Sequence, residues 1–460
     1  MHDGGHMKNL HIDKKFLVAL MTIGIPVMLQ NLLSTALNLI DTLMIGQVGK
    51  NELAAVGLAN QVFFIMILLV FGINSGASVF ISQFWGRKDL VNIKKTMGIG
   101  LIFGVIVSSL FLLVGQVFPE ETMSLLGNGN EALIKHGSVY LRIVSWSYVL
   151  TAISFSFSVG ARSIAQATTP TIISAFAVAI NATLNYILIY GKLGMPAMGV
   201  AGAAWATLIA RAFEMVTIIV VLYSQNSPLA ARFKELFNFN KAYLKTVMTT
   251  SFPVIVNESM WAVGNVMYTI AIAKISADAV ASYQVGISVY RFYEVIFIGL
   301  ASACQVMIGN CIGAGKEDTA KSYARQFMII NQIAVIFIIV LLIGTAEWNV
   351  SLFGLPIEVS RSAANLVKIY GVFSFFKCFN LLMIVGVLRG GGDTHYAMRV
   401  ELIAVWFVGV PMAFVGAVLL KWSVEWTVAA MMLEEVIKSF FCFYRYLSKK
   451  WCHNVIKNFE

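Results

Sequence analysis

The sequence predicts an all-α integral membrane protein of twelve transmembrane helices, arranged as two six-helix lobes related by a pseudo-two-fold axis. Three observations predict it: an extreme apolar bias, twelve long apolar runs, and an internal repeat. Of 460 residues, 58% are hydrophobic and only 12% charged, whereas soluble chains carry about 25% charged residues. The mean hydropathy is +0.79. These values exclude an ordinary soluble enzyme, and the apolar content excludes a disordered chain. The net charge of +10 needs no nucleic-acid partner, because basic loops on one membrane face produce the same excess.

A membrane-spanning helix needs about 20 mostly apolar residues. Such runs centre near residues 16–44, 54–83, 96–117, 138–160, 170–190, 200–223, 246–274, 280–312, 326–345, 363–388, 397–420 and 424–446. Most Lys and Arg lie at the start of the chain, in the even-numbered connections and after the last run. Examples are Arg87, Lys88, Lys94 and Lys95, then Arg232, Lys234, Lys241 and Lys245. By the positive-inside rule both termini are expected in the cytoplasm of a multi-pass inner-membrane protein. The expected divisions are an N-lobe at 10–225, a polar, basic linker at 226–242, a C-lobe at 243–450 and a cytoplasmic tail at 451–460. Residues 1–9 contain Gly4-Gly5-His6-Met7 and read as a tag remnant with a disordered N-terminus.

The two halves repeat at an offset of about 227. Met21-Thr22 and Pro26-Val27 recur as Met248-Thr249 and Pro253-Val254. The same offset pairs Asn38 with Asn265, Thr42 with Thr269, Gly72 with Gly299, Gly86 with Gly313 and Arg162 with Arg389. Six spans per repeat is an even number, so both halves enter from the same side. Their axis then lies along the membrane normal, an arrangement that places transporter sites between the halves.

Ionisable residues inside a span are costly and mark candidate sites. Asp41 lies toward the outer end of the first span. Asn181 and Asn185 stand four residues apart on the fifth, on one helical face, and supply the donors that a buried carboxylate needs. Together they suggest a cation or proton site, with a sodium ion near Asp41 as the one candidate metal. Glu258 follows Pro253 in the seventh span, and its repeat mate is Asn31, so the duplication does not explain the acid. Lys377 lies within the tenth span; Glu258 is its expected partner, with Glu401 as another candidate. Arg211 with Glu214, and Arg291 with Glu294, are spaced to neutralise each other locally. Glu434, Glu435 and Lys438 in the last span read equally as a local ion cluster or a transport group.

Other features suggest no chemistry. The cysteines Cys304, Cys311, Cys378, Cys442 and Cys452 have no metal-ligand spacing and read as packing residues. His136 and His395 read as solvated loop residues. Gly390-Gly391-Gly392 lacks the strand and Lys-Ser/Thr of a phosphate loop, and no hydrolase or kinase motif is present. No cofactor is expected beyond a coupling ion.

Several motifs together resemble the multidrug and toxic compound extrusion (MATE) family, in its prokaryotic NorM-like branch. They are Asp41-Thr42-Leu43-Met44-Ile45-Gly46, Gly86-Arg87, Leu184-Asn185-Tyr186 through Gly191-Lys192-Leu193-Gly194, Gly199 to Thr207, and Val387-Leu388-Arg389-Gly390-Gly391-Gly392-Asp393-Thr394. The resemblance runs from about Lys15 to Leu447. It implies a secondary transporter, acting as a monomer, that exports amphipathic, often cationic organic compounds and drugs in exchange for protons or sodium. It further implies that Tyr140, Asn181, Asn185 and Thr207 surround the acid at Asp41, and that Glu258 is a second functional acid. Two departures stand out. Some relatives carry Asp where this chain has Asn185, and many have an acid in the tenth span, where this chain has Lys377 nearby. A flippase for lipid-linked saccharides of the same superfamily is the competing expectation; it calls for a cavity dominated by Arg and Lys. An integral-membrane enzyme is a more distant one, because no catalytic constellation is present.

Overall fold

The computed structural model describes residues 14–127 and 129–459. The tag remnant expected at 1–9 and the first residues of the expected N-lobe lie outside the described residues. Among the described residues there is no strand. In chain order the α-helices are α1 (Lys14–Gly46), α2 (Lys50–Arg87), α3 (Leu90–Val117), α4 (Pro119–Leu126), α5 (Glu131–Val144) and α6 (Trp146–Ser163). Next come α7 (Thr168–Tyr190), α8 (Val200–Ser224), α9 (Phe233–Leu236), α10 (Lys241–Ala273), α11 (Ala277–Gly313) and α12 (Glu317–Ser351). The last are α13 (Ile357–Leu381), α14 (Thr394–Ala404), α15 (Val410–Phe414), α16 (Val424–Met431) and α17 (Leu433–Leu447).

Helix dominates because a chain in hydrocarbon must satisfy its own backbone groups. Nine described helices are long and apolar enough to cross a membrane, and α5 with α6 makes a tenth span bent by 45°. The remaining two are α10, diluted by Asn257 and Glu258, and the α16–α17 pair, which carries Glu434, Glu435 and Lys438. The protein is therefore an integral membrane protein of twelve spans in two six-helix lobes. The helix starts follow local chemistry: Asp89, Asn130, Asn240 and Ser276 each accept a backbone N–H in the first turn of α3, α5, α10 and α11. Pro26 and Pro253 both sit inside the first helix of their lobe.

The repeat predicts which surfaces meet. Helix α1 packs on α11, and its repeat mate α10 packs on α2. A Cβ on Gly72 would lie 2.8 Å from the Cα of Ile255; one on the mate Gly299 would lie 3.2 Å from the Cα of Met28, itself the mate of Ile255. Gly86 lies against the backbone of Asn310, and its mate Gly313 against the backbone of Gln83, the mate of Asn310. On the axis the mates touch each other: Gln305 Nε2 donates to Ser78 Oγ at 2.9 Å, 227 residues away. Glycine is required along this seam because two helix backbones approach too closely for a side chain. Burial of α2 is continuous from Gly72 to Phe84 and intermittent before it. The lobes are thus closed against each other toward the face that carries Arg87, Lys88, Lys94 and Lys95, here termed the basic face.

The segment read as a tail is packed at that face and joins the lobes. Trp451 is buried in the C-lobe and stacks on Tyr446. His453 N–H donates to Gly391 O at 2.7 Å. Gln83 of α2 then grips the segment twice: its Nε2 donates to His453 O at 3.0 Å, and its Oε1 accepts from Val455 N at 3.0 Å. Arg87 donates to Phe459 O at 3.0 Å, and the Phe459 ring packs on Phe84 of the N-lobe and on Tyr243 at the start of α10.

The seam is tested by bulk. Gly72→Val should lower stability by about 1–3 kcal/mol through overpacking, seen as a reduced Tm of the purified protein in detergent. Gly57→Val, where a Cβ meets nothing within 4 Å, should not lower it.

Candidate functional site

The N-lobe holds a small polar cluster among α1, α7 and α8. Asn185 Nδ2 donates to Asp41 Oδ1 at 2.5 Å and to Asn181 Oδ1 at 2.9 Å. Asn181 Nδ2 donates onward to Thr207 Oγ1 at 3.4 Å. Both asparagines are almost fully buried, and Asn185 Oδ1 has no hydrogen-bond partner. The i, i+4 spacing on α7 and the approach of α8 thus bring together Asp41, Asn181, Asn185 and Thr207. Tyr140 is buried in the same lobe, but its hydroxyl donates to Asn60 Oδ1 at 3.3 Å rather than to this cluster. Chemically, Asp41 is a carboxylate held by an amide, with no ion-pair partner among the described residues. Its carboxylate oxygens are acceptors that a cation or a proton can take up.

A second N-lobe chain runs through neutral and paired groups. Arg162 Nη1 donates to Gln30 Oε1 at 3.3 Å, Gln30 Nε2 to Ser174 Oγ at 3.1 Å, and Ser174 Oγ to Glu214 Oε1 at 2.7 Å. Arg211 closes on Glu214 at 2.7 Å, the local pair that the spacing predicted.

The C-lobe corrects two expectations. Lys377 does not pair with Glu258; its Nζ lies 3.3 Å from Glu294 Oε1 and 4.3 Å from the centroid of the Tyr290 ring. Glu294 is accordingly taken by Lys377, not by Arg291 on its own helix. Glu258 instead holds Arg389, Nη2 to Oε1 at 2.5 Å, with the arginine side chain only 2% exposed. The reason lies in the course of the tenth span. Lys377 and Arg389 are both on it, twelve residues and about 18 Å apart, so they meet different levels of the neighbouring helices. A π-helical turn at Leu382–Leu388 separates them and resets the register before Arg389.

A third group is buried between α14 and α17. Lys438 Nζ lies 3.1 Å from Glu401, 3.1 Å from Glu435 and 3.5 Å from Glu434. Asn380 donates to Glu435 at 2.8 Å, and the Tyr268 hydroxyl donates to Glu434. Lys438, not Lys377, is therefore the partner of Glu401. Sequence spacing could not reveal this cluster's reach to Glu401, nor the Arg389–Glu258 pair, because both cross helices. The only sequence signal was the presence of ionisable residues within these spans.

Between the lobes lies a cavity of about 400 Å³, within the range of small-molecule sites. Ser78 and Gln305 border it. Its N-lobe wall includes Asn31, Phe155 and Arg162; its C-lobe wall includes Glu258, Glu294, Lys377, Arg389 and Lys438. Asp41 and its amides are not part of this cavity lining. His136, expected to be solvated, lies 3.6 Å from Glu52.

Twelve spans in two related lobes, with a polar cavity between them, define a membrane transporter of the parallel-repeat type. The comparisons with known proteins resolve the class. The MatE family model matches twice, over residues 26–187 and 253–415, well over half of the chain and in register with the repeat. The chain belongs to the MATE family of multidrug efflux transporters and is a transporter rather than an enzyme. It is 23% identical over 439 residues to the Thermotoga maritima protein named "Probable multidrug resistance protein NorM", covering 94% of this chain and 92% of that one. The crystal structure of a single-residue mutant of the Vibrio cholerae MATE transporter VcmN superposes with a TM-score of 0.87 at 18% identity, covering 96% and 98%. A MATE transporter in a straight conformation superposes with a TM-score of 0.85 at 17% identity, covering 94% and 96%.

The corrected pairing has a direct test. In a double-mutant cycle of unfolding free energies, Lys377→Met and Glu294→Gln should couple by about 0.5–3 kcal/mol. Lys377→Met and Glu258→Gln should instead add. Separately, Lys438→Met leaves three buried carboxylates without their cation and should cost about 3–5 kcal/mol of stability, read as a fall in Tm.

Proposed function

We propose that this protein exports amphipathic, often cationic organic compounds and drugs by alternating access, in exchange for protons or sodium moving inward. The basic face is taken as cytoplasmic under the positive-inside rule, in a prokaryotic inner membrane, with both chain ends on that side. The lobes are closed at that face, so the described state is outward-facing. The functional unit is the monomer, because each chain contains both halves of the cavity. The substrate class rests on the resemblance to NorM-like relatives, one of which is named as a multidrug resistance protein.

One observation carries the coupling assignment. Asp41 is held by Asn185, a neutral group, whereas Glu214, Glu258 and Glu294 each face a cation. A carboxylate already matched to an arginine or lysine gains little from a second cation. Asp41 is matched to none among the described residues, so an incoming proton or sodium ion changes its charge balance most. Asn181, Asn185 and Thr207 supply the surrounding oxygens and donors, and Tyr140 lines the same lobe. Glu258 remains a participant through Arg389. The cavity's bases at Lys377 and Arg389 are neutralised by Glu294 and Glu258, which disfavours a flippase that grips anionic lipid phosphates by a basic wall.

Uptake of a fluorescent organic cation into inverted membrane vesicles tests this reading. An imposed proton or sodium gradient should drive uptake in the wild type. Asp41→Asn should insert at normal levels and lose most gradient-driven uptake, because an amide cannot titrate. Uptake indifferent to both gradients, or undiminished in Asp41→Asn, would sink the assignment.

A further inference from the structure

The internal two-fold gives a template for each half of the central cavity. In the C-lobe, Arg389 on the tenth span meets the carboxylate of Glu258 at 2.5 Å. Its mate in the N-lobe is Arg162, and the mate of Glu258 is Asn31. The N-lobe therefore repeats the arginine and replaces its acid with an amide. Asn31 does not substitute for the carboxylate. Its Nδ2 donates to Val27 O at 2.9 Å within its own helix. Arg162 is left with the carbonyl oxygen of Gln30 at 3.3 Å and the Phe155 ring, whose centroid is 5.9 Å away. Gln30 is itself the mate of Asn257, so Arg162 has taken the residue next to the one its counterpart uses.

The consequence is a charge imbalance across one cavity. Arg162 lines the N-lobe wall and has no acidic partner among the described residues. The opposite wall carries Glu258, Glu294, Glu401 and Glu435 against Lys377, Arg389 and Lys438, an excess of one acid. A guanidinium carries five N–H donors in a planar fork that fits a carboxylate. A half-buried cation on a cavity wall within the membrane is stabilised by an anion that enters the cavity.

We propose that Arg162 is an anion-binding subsite of the central cavity, which receives a carboxylate of the exported compound at the position where the C-lobe supplies Glu258. This rests on the export reading above and narrows its substrates to amphipathic compounds that pair an acidic group with a cationic one. The cationic end faces the acid-rich C-lobe wall; the carboxylate docks on Arg162 beside Asn31. The assignment involves no bond making or breaking, only ion pairing.

Equilibrium binding tests it without any gradient, so it is independent of the coupling ion. The purified full chain in detergent is titrated with rhodamine 110, which carries a free carboxylate, and with rhodamine 123, its methyl ester. Arg162→Gln should weaken binding of the acid by about ten- to a hundredfold, the size expected for a lost charge-assisted contact. The ester should change by no more than about twofold on the same scale. Asn31→Glu, which builds the C-lobe pairing into the N-lobe, should produce the same split, and it decides the matter where Arg162→Gln does not fold. Equal weakening of both dyes by Asn31→Glu, or no weakening of the acid by either variant, overturns the subsite. Binding of neither dye by the wild type overturns the drug-export reading and the subsite with it. Phosphatidylglycerol that displaces rhodamine 110 from the wild type, where phosphatidylcholine does not, overturns the carboxylate assignment in favour of a lipid phosphate.

Discussion

A charge removed from water needs a partner, and this requirement organises the interior of the protein. The spans carry enough ionised groups to destabilise any bundle that leaves them unmatched. The structure answers by crossing helices. Arg389 reaches Glu258 from the end of the tenth span, Lys377 reaches Glu294 on α11, and Lys438 on α17 reaches Glu401 on α14. Each pair therefore ties one span to another, and the C-lobe is an electrostatic unit as well as an apolar one. The N-lobe is sparser. It matches Arg211 to Glu214 and leaves Asp41 to an amide and Arg162 to an amide carbonyl. Transport groups are naturally found where matching is incomplete, since a fully neutralised site has no reason to bind anything.

The fold was legible in the sequence for simple physical reasons. Hydrocarbon imposes long apolar runs, and an even number of them per repeat imposes a parallel two-fold. The offset of 227 pointed to Gly72 with Gly299 and Gly86 with Gly313, and these glycines form the seam at which the lobes touch. Asp41 with Asn185 and Asn181 was also legible, because the two amides are one turn apart on a single helix and a buried carboxylate needs donors. The partner of Lys377 was not. Helical spacing ranks neighbours along one span, whereas the pairing depends on the height and rotation of α11 and α13. The π-helical turn at Leu382–Leu388 adds a register change that no apolar periodicity records. Thr207 and Tyr140 entered only through the family resemblance; the structure brings the first to the amide cluster and turns the hydroxyl of the second to Asn60.

The two repeats have kept one skeleton and diverged in how they break it. The N-lobe bends its fourth span by 45° at Ser145, while the matching C-lobe span continues as unbroken helix through that level and turns π-helical later. The eleventh span adds two more π turns around Pro411, at Val405–Gly409 and Val415–Leu419. Irregular backbone loosens the i to i−4 ladder and reorients side chains without breaking a span. The C-lobe thus carries both the denser charge network and the more deformable helices, and the N-lobe the simpler cluster on regular ones.

The segment 451–459 gives the molecule a second crossing between its halves, on the same face as the linker at 226–242. The seam and this segment act in parallel, like a hinge plate and a strap across one edge of a box. Swinging the lobes apart at that edge must first peel Phe459 from its aromatic bed and free Gln83 and Arg87 from the backbone they grip. Swinging them at the opposite edge costs none of these contacts. In the proposed alternating-access cycle the strap would therefore bias the motion toward one of its two extremes, and its grip would contribute to the relative populations of the two states independently of any ligand.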